Sequence, residues 1–407
     1  MSDLKATIAT TRESLGDLDA RYTIPHLPRL EIARLNQLLG DFQERGGFSD
    51  IYLATGHPLR LRAHGALIPV NPRSLQQNEM EGLVNSMYGP NGSTETSSKG
   101  AIDFPHEFTR GDVRLRYRVN VSLMRAVSAA SGFSMVMRPL SADPPRIQDL
   151  GIEEALLQGA YPRKGIVWVT GPTGSGKTTT LAAIMRSMLE SVDDPKAILT
   201  IEAPIEFVYD SVKGEAGKPI SGFVWQSEVP TMFKSFKDAI KADLRRHPDV
   251  ILVGEARDQE TIAAAVEAAM TGHTVYTTIH TNSVPETLRR VILAFPPDQR
   301  GGMLADLIAA TELIVTQVLV PGVKRSMCAL REYLRVTDKV REALYRAGEE
   351  RLVETVIELV ESDGQSMLRA AEIAFARGDI SERILARFKG RNKLITAAAE
   401  AAPMEVC

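Results

Sequence analysis

The sequence of 407 residues is 44% hydrophobic and 24% charged, which is ordinary for a globular protein. The chain is longer than those that usually fold around a single hydrophobic core, so we expect about two or three domains. The formal net charge of −3 excludes an overall basic field that would draw the chain to nucleic acid or acidic lipid. No apolar stretch approaches the roughly 18 residues of a membrane-spanning helix, and the chain starts without an apolar leader segment. We therefore expect a cytoplasmic protein that meets a membrane only through partners.

The first part of the chain predicts a mixed α+β domain at 25–138. Residues 1–24 are polar with alternating charges, which predicts a flexible arm. Helical periodicity follows over 32–42, and alternating apolar and basic residues over 113–121 indicate a half-exposed strand. Apolar runs and turn residues predict further strands over 49–55, 59–65 and 66–70, and a helix over 79–87.

A proline-rich linker is predicted at 139–150, because consecutive prolines stiffen the chain and donate no ladder hydrogen bonds. Beyond it, strands alternate with helices, which predicts an α/β core at 151–336 with a parallel sheet covered by helices on both faces. A charged, helix-periodic region with an alanine-rich tail follows at 337–407. The predicted strands and helices of the core are 166–169, 181–189, 197–201, 236–244, 250–253, 260–270 and 274–279.

A phosphate-binding loop lies between an apolar strand and a helix. Its glycines let backbone N–H groups converge on a phosphate, Lys177 can reach the β and γ oxygens, and the Thr178 hydroxyl can ligate Mg²⁺. A chance match in a flexible loop is the alternative, which the strand before it and the helix after it disfavour. The residues predicted to bind nucleotide are Gly171, Pro172, Thr173, Gly174, Ser175, Gly176, Lys177, Thr178 and Thr179.

Acidic residues follow two other predicted strands. Glu255 comes after an apolar strand, where an acid holds Mg²⁺ or its waters near the γ-phosphate; an acid favoured by a helix dipole is the alternative. Glu202 and Glu206 lie at the carboxyl end of a strand, where open α/β sheets bind ligands. One of them could orient or deprotonate the attacking water. Surface acids on a loop are the alternative.

Histidines and arginines supply further candidates. Seven residues apart along an extended strand, His273 and His280 would lie near opposite ends and would not chelate one metal ion; a hydrogen-bonded structural histidine is the alternative. Arg116, Arg118 and Arg138 are candidates for reaching a neighbouring subunit's site, because a negatively charged transition state gains from a cation supplied across an interface. Solvated cations on an amphipathic strand are the alternative.

Four motifs in order resemble those of the PilT-like secretion and pilus-retraction ATPases of the GspE superfamily. The Walker A, Asp-box, Walker B and His-box motifs are matched by GPTGSGKTTT at 171–180, TIEAPIEF at 200–207, DVILVGEARD at 249–258 and TGHTVYTTIHT at 271–281. The segments 49–51 and 116–120 resemble the family's PAS-like N-terminal domain, so the resemblance covers most of 30–385. Shorter matches, which resemble the DotB and TraJ ATPases of type IVB secretion and conjugation, lie at 87–91, 207–210, 226–228 and 380–383.

The resemblance implies a RecA-like P-loop core behind a PAS-like domain, with a small helical C-terminal region, ATP and Mg²⁺ as ligands, and a homo-hexamer. By matching, Glu206 is the catalytic glutamate and Glu255 the Walker B acid beside Lys177 and Thr178. The histidine pair is expected to sense or contact the nucleotide and to couple it to domain movement. In one departure, Ala203 stands where the family has aspartate, so it cannot share in positioning metal or water.

We therefore expect a cytoplasmic hexameric ATPase that powers a type IVB secretion or conjugative transfer apparatus. Its expected partners are that membrane-embedded apparatus, a second ATPase being a further candidate, and no direct nucleic acid contact is expected. A type IV pilus retraction motor is the alternative within the family. A DNA-stimulated RecA-like motor is an alternative of another class, and a nucleotide-dependent switch with little turnover is a third; a basic, aromatic-studded channel would favour the DNA motor.

Overall fold

The computed structural model describes residues 21–63, 66–126, 130–140, 143–214, 217–324 and 327–390. The chain divides into two compact units, Met1–Ala142 and Asp143–Cys407, here called the N-terminal unit and the C-terminal unit. The division falls inside the proline-rich segment. Most of the predicted arm, at 1–20, and the alanine-rich tail, at 391–407, lie outside the described residues.

The N-terminal unit contains an antiparallel sheet and helices. The strands follow one another in the sheet as β3-β2-β1-β6-β5-β4, and every neighbouring pair is antiparallel. The helices are α1 (Ile32–Arg45), α2 (Gln77–Tyr88) and α3 (Gly92–Lys99). The strands are β1 (Phe48–Ala54), β2 (Pro58–Ala63), β3 (Ala66–Ser74), β4 (Ala101–Arg110), β5 (Val113–Met124) and β6 (Gly132–Leu140).

The spacing of apolar residues determines which face of helix α1 is buried in the core of this unit. On α1, Leu35, Leu38, Leu39 and Phe42 are buried, at the spacing that gives a helix one apolar stripe. The Tyr117 hydroxyl of β5 donates to the Leu39 carbonyl at 3.0 Å, so the strand packs against the helix. The helix predicted over 32–42 and the strand predicted over 113–121 are thereby confirmed.

The prediction of a flexible arm is wrong for residues 21–24. Tyr22 is fully buried in the core of the N-terminal unit, and the Ile24 N–H donates to the Val70 carbonyl at 2.8 Å. Residues 21–24 therefore belong to the folded unit, because a buried aromatic ring outweighs the polar composition of the residues around it.

The C-terminal unit contains a seven-stranded sheet in the order β13-β12-β7-β11-β10-β8-β9. Its strands are β7 (Gly165–Thr170), β8 (Ala197–Glu202), β9 (Phe223–Glu228), β10 (Val250–Val253), β11 (Thr274–Ile279), β12 (Thr311–Pro321) and β13 (Met327–Arg335). Its helices are α4 (Glu154–Ala160), α5 (Lys177–Glu190), α6 (Phe236–Asp243), α7 (Gln259–Met270), α8 (Val284–Leu293), α9 (Pro297–Ala310), α10 (Asp338–Ala347), α11 (Leu352–Asp363) and α12 (Met367–Ala376).

The prediction of a parallel sheet holds for six of these strands. The neighbouring strands from β12 to β9 all pair in parallel, whereas β13 pairs antiparallel with β12. The exception has a local cause, because β12 and β13 follow one another in the chain and pair from Pro321 and Met327 outward as a hairpin.

Helices cover both faces of the sheet, as predicted. Alternate residues of a strand point to opposite faces, and Ile166 and Trp168 belong to one buried apolar cluster while Val167 and Val169 belong to another. The edge strand β9 differs, since its Trp225 is 54% exposed whereas Trp168 is fully buried.

The C-terminal region is helical where it is described, with α10 to α12 and a further helix over 382–390. Within the described ranges, no helix combines the length and apolar character needed to cross a bilayer.

Candidate nucleotide-hydrolysis site

The phosphate-binding loop joins the carboxyl end of β7 to the start of α5. Gly176 is the N-cap of α5 with a φ of 85°, and Lys177 is the first helical residue. Gly171 has a φ of 141°, and a Cβ atom there would lie 2.2 Å from the Gln317 carbonyl oxygen. Glycine is therefore required at 171 both by the backbone conformation and by the close approach of β12.

Lys177 lies in a largely buried position with its ammonium turned toward the loop. Its Nζ donates to the carbonyls of Gly171 at 2.9 Å and Pro172 at 3.0 Å. Burial lowers the pKa of this ammonium, while the nearby carboxylates of Glu255 and Glu206 act in the opposite direction. Phosphate oxygens at a helix N-terminus could replace the two carbonyl oxygens as acceptors.

Glu255 and His280 meet beside the loop. Glu255 follows β10 and His280 follows β11, and these strands are parallel neighbours, so their carboxyl ends reach the same edge. The Glu255 Oε1 lies 3.2 Å from the His280 Nε2, and the His280 Nδ1 lies 3.4 Å from the Lys177 Nζ. Glu255 also forms an ion pair with Arg257. The loop, the acid and the second histidine therefore share one polar cluster.

Glu206 is carried by the loop that follows β8, and two buried carboxylates hold this loop. The Glu206 N–H donates to the Glu202 carboxylate, and the Ile205 N–H donates to the Glu228 Oε2 at 3.1 Å. Glu206 is half-buried and close enough to Lys177 to influence its pKa. Neither of these contacts uses the side chain of residue 203. The loop is therefore held in place although Ala203 stands where the family has aspartate.

The Glu202 side chain is almost completely buried. Its Oε1 accepts hydrogen bonds from Thr200 Oγ1 at 2.7 Å and from Gln226 Nε2 at 3.0 Å. Burial raises the pKa of this carboxyl to about 7, against the lowering effect of its hydrogen bonds. Gln226 also donates to the Phe207 carbonyl at 2.9 Å, so Glu202 and Gln226 together fix the base of the loop.

The arrangement fits a magnesium nucleotide. The loop offers backbone donors at a helix N-terminus, and the buried Ser175 Oγ has no hydrogen-bond partner among the described residues. No group of three or more histidine, cysteine, aspartate or glutamate side chains in those residues could hold a metal by itself. Thr178 and Glu255 would hold Mg²⁺ together with phosphate oxygens, as this ion prefers, and the ion would offset the charge of the phosphates.

The structure does not bring His273 to Lys177. His273 immediately precedes β11 and His280 immediately follows it, so the two histidines are separated by about 20 Å of extended strand. The His273 Nδ1 lies 3.1 Å from the Ala268 carbonyl oxygen. The expectation that the two histidines lie near opposite ends of one strand agrees with these positions.

The three candidate arginines belong to the N-terminal unit and differ in exposure. The Arg116 side chain is 2% exposed and its Nε lies 2.6 Å from Glu107 Oε1. Arg118 and Arg138 are 43% and 66% exposed and lie directly opposite each other on β5 and β6. Arg116 is therefore committed to its own sheet. Arg138 also donates within its sheet, through Nη2 to the Asp50 Oδ1 at 2.7 Å, but much of its side chain, like that of Arg118, is exposed.

Sequence reasoning assigned no role to Gln317 or Arg331, which adjoin the phosphate-binding loop. Gln317 interrupts the apolar run of β12 and is 2% exposed. A polar side chain inside a buried strand needs hydrogen-bond partners, and that was the available signal. Its partner Arg331 lies on β13, a strand that the sequence did not predict.

Comparisons with known proteins show what this chain is similar to. The family described as "Type II/IV secretion system protein" matches residues 108–400. The type IV pilus retraction ATPase PilT of Pseudomonas aeruginosa is 30% identical over 354 residues, which are 86% of this chain and 96% of that protein.

Solved structures extend the likeness to three dimensions. The crystal structure of the Legionella pneumophila ATPase DotB is 38% identical with a TM-score of 0.82, covering 93% of this chain and 99% of that one. The pilus retraction motor PilT with bound ADP is 30% identical with a TM-score of 0.73, covering 88% and 96% of the two chains.

Proposed function

This chain belongs to the type II/IV secretion system protein family and is an ATPase, and on that premise we propose that it forms a hexamer that powers a type IVB secretion or conjugative transfer apparatus. The observation that carries this choice is the likeness to DotB over nearly the whole of both chains. In this proposal the hexamer works at the cytoplasmic face of the inner membrane, which it reaches through partner proteins.

In the proposed mechanism, charged side chains at the carboxyl edge of the sheet carry out hydrolysis. Lys177 and the loop amides bind the phosphates, and Thr178 and Glu255 hold Mg²⁺. Glu206 orients the attacking water and accepts its proton, since it lies close to Lys177 on a loop that two carboxylates hold in place. His280 senses the nucleotide beside Glu255. His273, at the other end of β11, acts in coupling to domain movement.

In this proposal, a neighbouring subunit supplies a further positive charge to the site, in addition to Lys177 and Arg257. Arg118 and Arg138 are the accessible candidates, because much of each side chain is exposed on adjacent strands. Arg138 would exchange its ion pair with Asp50 for the phosphate charge. Their side chains would stabilise the negative charge of the transition state across the interface.

Mixed oligomers test this arrangement. Arg138→Ala and Glu206→Gln proteins should each be nearly inactive alone. Mixing them in equal amounts should restore roughly a quarter of wild-type phosphate release, because one interface in four then combines an intact glutamate with an intact arginine. An Arg118→Ala series is run in parallel. Absence of any recovery in both series would contradict sites shared between subunits.

The choice of apparatus is tested in cells. Deleting the gene should abolish transfer of DNA or protein to recipient cells and leave twitching motility intact, with rescue by the wild-type gene and none by Lys177→Gln.

A type IV pilus retraction motor is the second candidate, which the likeness to PilT along almost its full length favours. It predicts the reverse pattern, with twitching lost and transfer retained.

A further inference from the structure

Gln317 joins β12 to the phosphate-binding loop through both ends of its side-chain amide. Its Nε2 donates to the Ser175 carbonyl at 2.6 Å, and its Oε1 accepts from the Thr180 Oγ1 at 3.0 Å. A Cβ atom at Gly176 would lie 2.8 Å from the same Nε2. The amide therefore contacts the loop at its last turn and the first turn of α5.

Arg331 holds Gln317 from the neighbouring strand. Its Nε donates to the Gln317 Oε1 at 2.8 Å, on a side chain that is 2% exposed. The remaining donors reach the segment that follows the boundary between the two units: Nη2 to the Leu150 carbonyl at 3.2 Å, and Nη1 to Gly151 at 3.3 Å and to the Glu153 Oε2 at 3.2 Å.

A buried guanidinium needs partners for all its donors, because an uncompensated charge in the interior is strongly unfavourable. Arg331 meets most of this need, because four of its five N–H groups donate to one amide, one carboxylate and two carbonyls. A rigid fork of donors also fixes the relative positions of the groups that it binds. The orientation of the Gln317 amide is fixed as a result, since its oxygen faces Arg331 and Thr180 and its nitrogen faces the loop.

We propose that Gln317 and Arg331 are positioning residues that hold the phosphate-binding loop in its nucleotide-binding shape and tie it to the segment from Leu150 to Glu153. A cavity of about 420 Å³ beside the loop is lined by Gly176, Gln317 and Arg331, so the pair borders the space next to the phosphates. This inference rests on the proposed role of the loop in binding ATP.

Two substitutions test separately the contact of Gln317 with the loop and the support that Arg331 gives to Gln317. Gln317→Glu keeps the acceptor for Arg331 and replaces the donor to Ser175 with an oxygen. Arg331→Met removes the guanidinium and leaves the amide unsupported. Each should raise the KM for Mg-ATP about tenfold, as expected when the hydrogen bond from Gln317 to the loop is lost or misplaced, with kcat changed less than about threefold. Because the residues act in series, the double variant should be little worse than either single one.

Arg341 is the matched control. It also binds several carbonyls and one carboxylate, including Ala309 at 2.8 Å and Glu312 Oε1 at 3.1 Å, but Glu312 lies at the start of β12 and Ala309 at the end of α9, away from Gln317. Arg341→Met should lower the Tm about as much as Arg331→Met and leave the KM unchanged. Arg331→Lys, which keeps the charge without the fork, should restore stability better than it restores the KM.

The measurements are Mg-ATP affinity by a fluorescent nucleotide, the KM and kcat of phosphate release, and the Tm of the full-length oligomer. Folded Gln317→Glu protein with an unchanged KM would overturn the proposal, as would multiplying effects in the double variant. A wild-type protein that does not bind Mg-ATP would overturn the role of the loop itself, and with it this inference. Binding by the wild type with unaltered variants would overturn the inference alone.

Discussion

In the N-terminal unit, arginines of β5 lie beside carboxylates of β4, whereas the C-terminal unit gathers glutamates around a lysine that donates to backbone carbonyls. Arg116 pairs with Glu107 at 2.6 Å, and Arg118 lies 3.8 Å from Asp103. Lys177 instead donates to Gly171 and Pro172, with Glu206 and Glu255 nearby.

The difference separates charges used for stability from charges kept for a ligand. A charge paired within one sheet contributes to that sheet, and an exposed pair contributes little. A lysine bound to carbonyls can exchange them for phosphate oxygens, and acids beside it can receive a cation or a proton. The comparison predicts that substitutions in the lysine cluster alter turnover, while those in the buried Arg116–Glu107 pair alter the free energy of unfolding.

The largest effect is expected at the lysine. Lys177→Gln should reduce kcat/KM for ATP at least about 10³-fold, because the phosphates lose a preorganised positive charge. Phosphate release by the purified protein measures this. Lys196→Gln is the control, since Lys196 forms an exposed ion pair with Asp194 at 2.7 Å. Equal losses in both variants would contradict a specific role for Lys177.

Glu206→Gln should lower kcat about 300-fold while leaving nucleotide affinity within a few fold, because the amide keeps the size of the side chain and loses its basicity. Phosphate release and binding of a fluorescent nucleotide are measured on the same preparation. Turnover near the wild-type rate would remove Glu206 from the chemistry.

Glu202 gives a pH-dependent test of stability. The folded carboxyl has a pKa of about 7, above its ordinary 4.5, so the folded state binds the proton more tightly than the unfolded state. Stability should therefore be lost as pH rises from 4.5 through 7.

Relative to Glu202→Gln, the wild type should lose about 3 kcal/mol of unfolding free energy between about pH 4.5 and pH 8.5, since one pKa unit is worth about 1.4 kcal/mol. Urea unfolding of both proteins at those two pH values measures the difference. A wild-type advantage that does not change with pH would show that folding does not raise the pKa of Glu202.

The smallest expected effect is a difference in unfolding free energy between substitutions of two arginines on β5. Arg116→Ala should cost about 2 kcal/mol, because a buried charge-assisted hydrogen bond is lost, whereas Arg118→Ala should cost less than about 1 kcal/mol. Urea denaturation followed by far-UV circular dichroism gives both values. Equal costs would mean that burial does not distinguish the two ion pairs.

Sequence periodicity was sufficient for the elements that carry local signals. Strand β7, the loop and α5 are consecutive, so apolar runs, glycines and Lys177 identified them together. The hairpin β12–β13, the edge strand β9 and the helices α4, α8 and α9 were not predicted. Strand β12 also pairs with β7, which is distant in the chain. A mixed sheet follows from pairing that periodicity does not reveal.

The residues of the candidate site also fall into two groups, those that the sequence could predict and those that it could not. Glu206 and Glu255 could be predicted because each follows a strand whose carboxyl end borders the loop. The supporting role of Glu228 could not, because its contact with the Ile205 N–H depends on the parallel register of β8 and β9. Arg331 was missed for the same reason, since its partner Gln317 lies across the hairpin.

The two tryptophans of the sequence, Trp168 and Trp225, both lie in the C-terminal unit. Their indole emission therefore reports on that unit alone. Trp168 is fully buried and Trp225 is 54% exposed. Aqueous iodide should therefore quench the fluorescence of Trp225 and leave that of Trp168 unquenched. A shift of the protected emission to longer wavelength would signal opening of the sheet beside the phosphate-binding loop, without any added label.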